Sequence, residues 1–438
     1  MEILLLTSYL GDAEPLVFPI GLSCIKSSLT GHTVEIFDLN LSNKPFEELK
    51  NIIAEFSPDV IGISLRNIDS TNKRKITFYY TLFKDALDVI KSCSAARIVV
   101  GGSGFSIFAQ EIMSDEPRID FGIFLEGEIS FPELLRNMES PENVPSLYYR
   151  KNGEVLFTGP SPLQGSKQFT IAMTNNTSIE RYYKHRDAIG IETKRGCSLS
   201  CTYCIYPFLN GKNYRLKDPT KVVDEIECLI NKHGLERFMF VDSVFNIPQK
   251  HAEEICREMI KRKLNIRWSA WFNEKNIDRD FLALVKQAGC DNLIFSPDGF
   301  SSDVLAKLGK NLTTHDIMET YRLVKKESGF EVNYNFFKNP PGQNLRNLFL
   351  MIFFILRAKW ELKKRVHFEL NSLRIEPHTK LYEIALSEGV INKNDNLLFP
   401  KYYTQRKTWF IENLFNIMLR LKELSHLYRK GMKVKIGN

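Results

Sequence analysis

The stretch Glu192-Thr-Lys-Arg-Gly-Cys197-Ser-Leu-Ser-Cys201-Thr-Tyr-Cys204 gathers three of the chain's eight cysteines within eight residues. It follows a short β-type run, Gly190 to Thr193, and opens a long alternation of strand-like and helical segments. Intervals of three and two residues let one short loop wrap three corners of a cubane iron–sulfur cluster, with Gly196 permitting the tight entry. One iron then has no protein ligand, which suits a cluster that chelates a small molecule rather than one that only carries electrons. A zinc knuckle would need a fourth Cys or His at short spacing, and the nearest histidines are His185 and His233.

Working outward, the strand-like runs Phe238 to Val241, Ile266 to Trp271, Asn292 to Phe295, Glu331 to Phe337 and His367 to Arg374 are separated by helices such as Val222 to His233, Ala252 to Lys263 and Asp280 to Ala288. Repeated units of this length predict a full or partial α/β barrel. Upstream, runs at Ile3 to Thr7, Thr33 to Asp38, Val60 to Ser64 and Arg97 to Val100 alternate with helices near Leu22 to Leu29, Phe46 to Phe56 and Tyr79 to Ser92. That pattern predicts a doubly wound, mainly parallel sheet. Ligands of such sheets sit at the carboxyl ends of the strands, which here carry Thr7-Ser8, Ser64-Leu65-Arg66-Asn67 and Gly101-Gly102-Ser103-Gly104. The reading is α/β throughout: a Rossmann-like domain over residues 1–140, a connector over 141–186 with a hairpin turn at Lys151-Asn152-Gly153, a partial barrel over 187–385, and a helical segment over 386–438. In the tail, Trp409, Leu414, Ile417, Met418 and Leu421 share one helical face, which fits a lid, a docking face for a peptide or protein, or a brace.

The cysteine spacing, with the aromatic Tyr203 before Cys204, resembles the signature of the radical S-adenosylmethionine superfamily. The resemblance covers roughly residues 190 to 385. It implies a [4Fe-4S] cluster on Cys197, Cys201 and Cys204, S-adenosylmethionine chelated to the open iron through its amino and carboxylate groups, one-electron cleavage to a 5′-deoxyadenosyl radical, and an external one-electron reductant. Phe240-Val-Asp-Ser-Val-Phe-Asn246 falls where such proteins contact the amino group, through backbone and a carboxylate such as Asp242; Asp242 and Asn246 fit equally a cap on the next helix. Trp268-Ser-Ala-Trp-Phe-Asn273 offers Ser269 and Asn273 to the ribose. Ala288-Gly-Cys-Asp-Asn-Leu-Ile-Phe-Ser-Pro-Asp-Gly299 is similar to the family's glycine-isoleucine-glutamate strand, but Ser296-Pro297-Asp298 replaces that triplet, leaving Asp298 as the adenosyl candidate. Arg374-Ile-Glu-Pro-His-Thr-Lys-Leu-Tyr382 resembles the segment that closes these barrels.

Phe18-Pro-Ile-Gly-Leu22, Gly31-His-Thr-Val-Glu-Ile-Phe-Asp38, Ser57-Pro-Asp-Val-Ile-Gly-Ile-Ser64, Val99-Val-Gly-Gly-Ser103 and Asp120-Phe-Gly-Ile-Phe-Leu-Glu-Gly-Glu128 occur in the order found in the cobalamin-binding domain that precedes many radical S-adenosylmethionine proteins. This second resemblance implies cobalamin contacts from Thr7, Ser64, Leu65, Arg66, Asn67, Gly101, Gly102, Ser103, Gly127 and Glu128. A dinucleotide site would want Gly-x-Gly-x-x-Gly after the first strand, where this chain has Thr-Ser-Tyr-Leu-Gly-Asp. The Asp-x-His-x-x-Gly motif that supplies a histidine ligand to cobalt elsewhere is absent. Any cobalamin is therefore expected without a histidine ligand, with Arg66, Leu65 or Asn67 near the lower face of the cobalt. Arg66 fits equally a surface residue paired with Asp69.

Composition narrows the rest. A net charge of +7 spread along 438 residues is no nucleic-acid footprint. Met1 leads straight into Ile3 to Leu6 without a basic n-region, so a secretory signal is not expected and the cytoplasm is. The longest apolar run, Leu348 to Leu356, is about half a bilayer span and reads as a buried helix. Cys24, Cys93, Cys228, Cys256 and Cys290 lie singly and read as core. The two resemblances together imply methylation of an unactivated carbon, class B in the superfamily's terms, with methylcobalamin as the donor. Rearrangement, ring contraction or oxidation with the same cofactors is the alternative. An RNA-modifying methylthiotransferase would carry three further cysteines in its first domain, where this chain has only Cys24 and Cys93. Neither the substrate, small molecule or peptide, nor an acid or base is named by any residue; Tyr206, Pro207 and Arg215 either edge its pocket or pack it.

Overall fold

The computed structural model describes residues 1–11, 14–163 and 179–421. Five strands of the first sheet, β1 (Glu2–Thr7), β2 (Thr33–Phe37), β3 (Val60–Ser64), β4 (Arg97–Gly101) and β5 (Phe121–Ile123), are parallel in the order β2-β1-β3-β4-β5. This is the flavodoxin-like order, whose chain reversal beside β1 and β3 opens a crevice at their carboxyl ends. Helices cover both faces, which is why β1 is an unbroken apolar run: Ile3, Leu4, Leu5 and Leu6 are wholly buried, each contributing roughly 1.5–3 kcal/mol relative to exposure.

The sheet does not stop at the expected boundary of residue 140. Strands β6 (Leu147–Lys151) and β7 (Glu154–Phe157) add to it antiparallel, β6 on β5 and β7 on β6. Asn152 and Gly153 form a two-residue turn with φ of 54° and 83°, the left-handed pair a hairpin favours. Residues 147–157 of the segment read as connector are thus the outer edge of the first domain, because β5 would otherwise expose an unpaired edge.

The second unit is an open barrel. Six parallel strands, β8 (Gly190–Ile191), β11 (Arg237–Phe240), β12 (Arg267–Phe272), β13 (Cys290–Asp298), β14 (Glu331–Phe337) and β15 (Val366–Asn371), run in the order β8-β11-β12-β13-β14-β15. Between β8 and β11, β9 (Lys194–Arg195) pairs antiparallel with β10 (Arg215–Leu216), so the cysteine loop leaves and re-enters through one narrow neck. The run expected as one strand to Arg374 breaks at Ser372: Leu373–Arg374 (β16) leaves the barrel to pair with Tyr402–Tyr403 (β17). There Arg374 Nε reaches Asp69 Oδ2 of the first domain at 2.7 Å, both side chains buried, so Asp69 is not a partner for Arg66.

Two helices differ from expectation. Leu348 to Leu356 lies inside the helix Leu345–Leu362, but only one side of it is buried; Phe349, Phe353 and Leu356 face outward. In the helix at 409–421, Trp409, Leu414, Ile417, Met418 and Leu421 are exposed, and the contacts to the core come from Ile411 and Phe415. The remainder of the tail lies outside the described residues. Among the described residues no helix is long and apolar enough to cross a membrane. All eight cysteines are free; Cys24, Cys256 and Cys290 are buried as expected, whereas Cys93 is exposed.

Candidate functional site

Two cavities meet where the carboxyl ends of both sheets converge. The first, of ≈ 390 Å³, lies at the mouth of the barrel and is lined by Cys197, Cys201, Tyr203 and Cys204, with Met239, Asp242, Ser243, Asn273, Glu274, Ser296 and Lys310 among the other walls. Gly196 takes φ +94°, and a Cβ there would stand 2.1 Å from the Asn213 carbonyl oxygen, so the loop enters only as glycine. Gly309 makes a similar close approach to the Ser200 carbonyl, and Thr202 N donates to the Leu308 carbonyl at 2.9 Å. Burial pushes the Cys204 thiol up to about 12, which disfavours the free thiolate; coordination to a metal favours it. Among the described residues no three His, Cys, Asp or Glu side chains close around a single ion. Three thiols around one cavity, without a fourth ligand, fit a group several ångströms wide that takes one cysteine at each of three corners.

The other side chains named from the sequence turn out to hold the loop. Asp242 accepts from Thr193 N (2.8 Å), Thr193 Oγ1 (2.5 Å), Lys194 N (3.3 Å) and Lys194 Nζ (3.0 Å), all buried. The next helix, Gln249–Lys261, is capped by neither Asp242 nor Asn246. Asn246 instead exchanges two 2.8 Å bonds with the Asn273 backbone, and Asn273 Nδ2 donates to Asn311 Oδ1. The Tyr203 hydroxyl donates to Asp298, which also pairs with Lys310; Lys310 lies over the Tyr203 ring and donates to the Ser296 carbonyl at 2.7 Å. Burial opposes the charge on Lys310, but Asp298 outweighs it and raises its pKa. Asp298 reaches this position because β13 bulges between Phe295 and Asp298, placing Asp298 at φ +64°. Phe240 sits in the core, stacked on Phe245, and does not reach the cavity. Ser269 is wholly buried and its Oγ has no partner.

Sequence reasoning missed Glu274. It lines the cavity, its Oε1 has no hydrogen-bond partner among the described residues, and burial pushes its carboxyl up to about 8. The signal available was its place one residue beyond the strand end already singled out.

The second cavity, ≈ 540 Å³, lies between the domains. Its first wall comes from Ser64, Arg66, Asn67, Gly101, Gly102, Ser103, Gly127 and Glu128, and its second from Ile205, Tyr206 and Leu209 just beyond the cysteines. Gly102 takes φ +100°, and its Cβ would lie 2.9 Å from the Leu65 carbonyl oxygen. Leu65 itself is buried beneath this turn, donating its N–H to the Gly101 carbonyl at 2.8 Å, and lines neither of the two cavities. Thr7 is also spent: its hydroxyl donates to Asp38, which accepts from Tyr182 at 2.5 Å as well. Glu128 pairs with Arg195 at 2.7 Å, and Glu126 with Arg215 at 2.7 Å, riveting the domains together. Arg215 therefore packs the interface. The Arg66 guanidinium makes no hydrogen bond to any described residue, and Arg66 lines both this cavity and a neighbouring one of ≈ 430 Å³. A Cβ on Gly21 would meet nothing within 4 Å; with Gly101 and Gly102 it leaves a cradle wide enough for a flat ligand. Ile20, Gly21, Leu22, Cys24, Ile25, Phe131 and Glu376 also line it, and none of them is a contact that the sequence names.

Fold and cavities define a class: a flavodoxin-like ligand-binding domain set over the cysteine-bearing mouth of a partial α/β barrel. Residues 191–355 match the Radical SAM superfamily and residues 7–135 the B12 binding domain; the chain carries a B12-binding domain followed by a radical SAM domain. It is similar to a protein of Pyrococcus horikoshii described as an uncharacterized methyltransferase, at 24% identity over 382 residues covering 85% of this chain and 79% of that one. It is also similar to the anaerobic magnesium-protoporphyrin IX monomethyl ester cyclase of Synechocystis, at 24% identity, with 71% of this chain and 62% of that one covered. Among solved structures, the radical S-adenosylmethionine methyltransferase TsrM of Kitasatospora setae, with tryptophan substrate and a SAM analog bound, superposes with a TM-score of 0.78 at 21% identity, covering 92% of this chain and 80% of that one.

Proposed function

We propose that this chain methylates a carbon atom of a small organic substrate, using S-adenosylmethionine at a [4Fe-4S] cluster on Cys197, Cys201 and Cys204 together with a cobalamin held between the domains. One observation carries the reading: Tyr206 lines both cavities, so a group bound at the cysteines and one bound against Ser64, Arg66 and Gly101–Ser103 face each other across a single side chain. When bound, S-adenosylmethionine and the cluster supply the methyl group and the one-electron chemistry, and the corrinoid carries the methyl group. The protein positions them. The Asp242–Lys194 pair and the Tyr203–Asp298–Lys310 cluster fix the cysteine loop. Gly102 and Ser103 would bring backbone close to a corrinoid held in this cavity, and Arg66 would offer it a guanidinium in a chain whose motif position carries no histidine. Glu274, mostly protonated at neutral pH, is a hydrogen-bond donor facing the cysteine cavity.

We assign the corrinoid to residues 1–140 with the added strands to Phe157, the cluster to 187–385, and the interdomain brace to the tail from 386. An external one-electron reductant and a reducing, cytoplasmic setting belong to the same proposal. Nothing in the reading calls for nucleic acid.

The test is incubation with S-adenosylmethionine deuterated on its methyl group. Label and one added methylene equivalent in the product are the expected result. The similarity to the cyclase favours a second reading, rearrangement or oxidation, which product of unchanged carbon count and no label would establish instead.

A further inference from the structure

The helix Leu345–Leu362 packs its inner side through Leu348, Met351, Phe354, Ala358 and Leu362. Its outer side should be polar, as on an ordinary barrel helix. It is not: Leu345, Phe349, Phe353, Leu356 and Trp360 are 51%, 65%, 65%, 63% and 83% exposed. Spacings of four, four, three and four residues place them in one stripe about 22 Å long. Arg346, Lys359, Lys363 and Lys364 border the stripe, are exposed, and make no ion pair among the described residues. The acid on this helix, Glu361, is consumed by Tyr321, Lys325 and Arg357. A second apolar surface adjoins its start. Gln405 donates to the Gln343 carbonyl at 2.6 Å and Thr408 to Asn339 at 2.8 Å, anchoring the 409–421 helix, which turns Phe410, Leu414, Ile417 and Leu421 outward. The sequence beyond it carries Lys422, Arg429, Lys430, Lys433 and Lys435 against Glu423.

We infer that this face binds the surface of an anionic lipid bilayer. The charges decide the occupant. A second copy related by a two-fold axis would set these unpaired cations against their own images, which is repulsive across an interface. A negative leaflet accepts both features at once: aromatic and aliphatic side chains enter the boundary between headgroups and acyl chains while the flanking lysines and arginine meet phosphates. The helix lies along the membrane and does not span it. This leaves the mouth of the barrel, built on other elements, free for its cofactors.

Co-sedimentation of the full chain with vesicles tests the inference, comparing pure phosphatidylcholine with phosphatidylcholine containing roughly a third phosphatidylglycerol. At least about tenfold stronger binding to the anionic vesicles is expected, and both Phe349→Ser/Phe353→Ser/Trp360→Ser and Lys359→Glu/Lys363→Glu/Lys364→Glu should abolish it. Because the altered side chains are exposed, their thermal unfolding should stay near that of the parent. Three results overturn the inference: a chain that stays in the supernatant with both vesicles, variants that still pellet, or a dimer in sedimentation velocity that the aromatic substitutions dissolve.

Discussion

The two cavities are built from opposite materials. At the cysteine mouth, the polar side chains that sequence reading singled out are spent on one another: Asp242 on Lys194, Asn273 on Asn311, Tyr203 on Asp298. In the interdomain cavity, glycines bring backbone to the wall, and while Glu128 and Arg195 on its lining pair with each other, Arg66 makes no hydrogen bond to a described residue. The difference teaches that a polar residue at a strand end serves the scaffold when the ligand is held by thiolates, and serves the ligand when the ligand is broad and held by shape. It also assigns different failures to the two sites.

The largest expected effect is at the mouth. Asp242→Ala would leave the Lys194 ammonium buried without its partner, costing about 3–5 kcal/mol. Thermal unfolding should fall sharply and recover in part when Lys194→Met is added; equal stability of Asp242→Ala and parent would remove the scaffold role. Next, Gly102→Val forces a side chain into the Leu65 carbonyl from a left-handed backbone. Cobalt content should drop at least about tenfold with iron retained. Loss of iron instead would show that the cavities are not separately built.

Smaller is the pH dependence set by Glu274. Its pKa is raised on folding, from the usual carboxyl range to about 8. The folded protein therefore binds the proton more tightly than the unfolded chain, and stability is full below pH 4 and lost as pH climbs through 8. Melting curves of the metal-free protein between pH 5 and 9 should show this decline, and Glu274→Gln should flatten it. Smallest of all, Arg66→Ala should keep cobalt and iron in place and alter only the visible absorption of the bound corrinoid. Large loss of cobalt would make Arg66 a structural prop instead.

The fold was legible because the central strands of both sheets are parallel and buried, so strands such as Val60–Ser64 and Arg237–Phe240 stand out as compact apolar runs between helical periods. Legibility failed where tertiary pairing overrode local pattern. Residues 147–157 read as connector because two short antiparallel strands carry no helix between them, and Arg374 left the barrel for a partner, Asp69, about three hundred residues away. In the tail, periodicity identified an apolar face but could not say whether protein covered it. At the site, the cysteines and the Gly101–Ser103 turn were readable because their chemistry demands residue type and spacing. Glu274 was not, since a single carboxyl acquires meaning only from the burial around it.

The central claim is that one chain holds a cysteine-bound cluster and a corrinoid in adjoining, separately built cavities. Anaerobic purification from cells supplied with cobalamin, with iron, sulfide and cobalt counted per chain before and after Cys197, Cys201 and Cys204 are changed to alanine, tests it directly. The account expects about four irons and one cobalt in the parent, with iron lost and cobalt kept in the variant. Zinc in place of iron, or iron without cobalt, would contradict it.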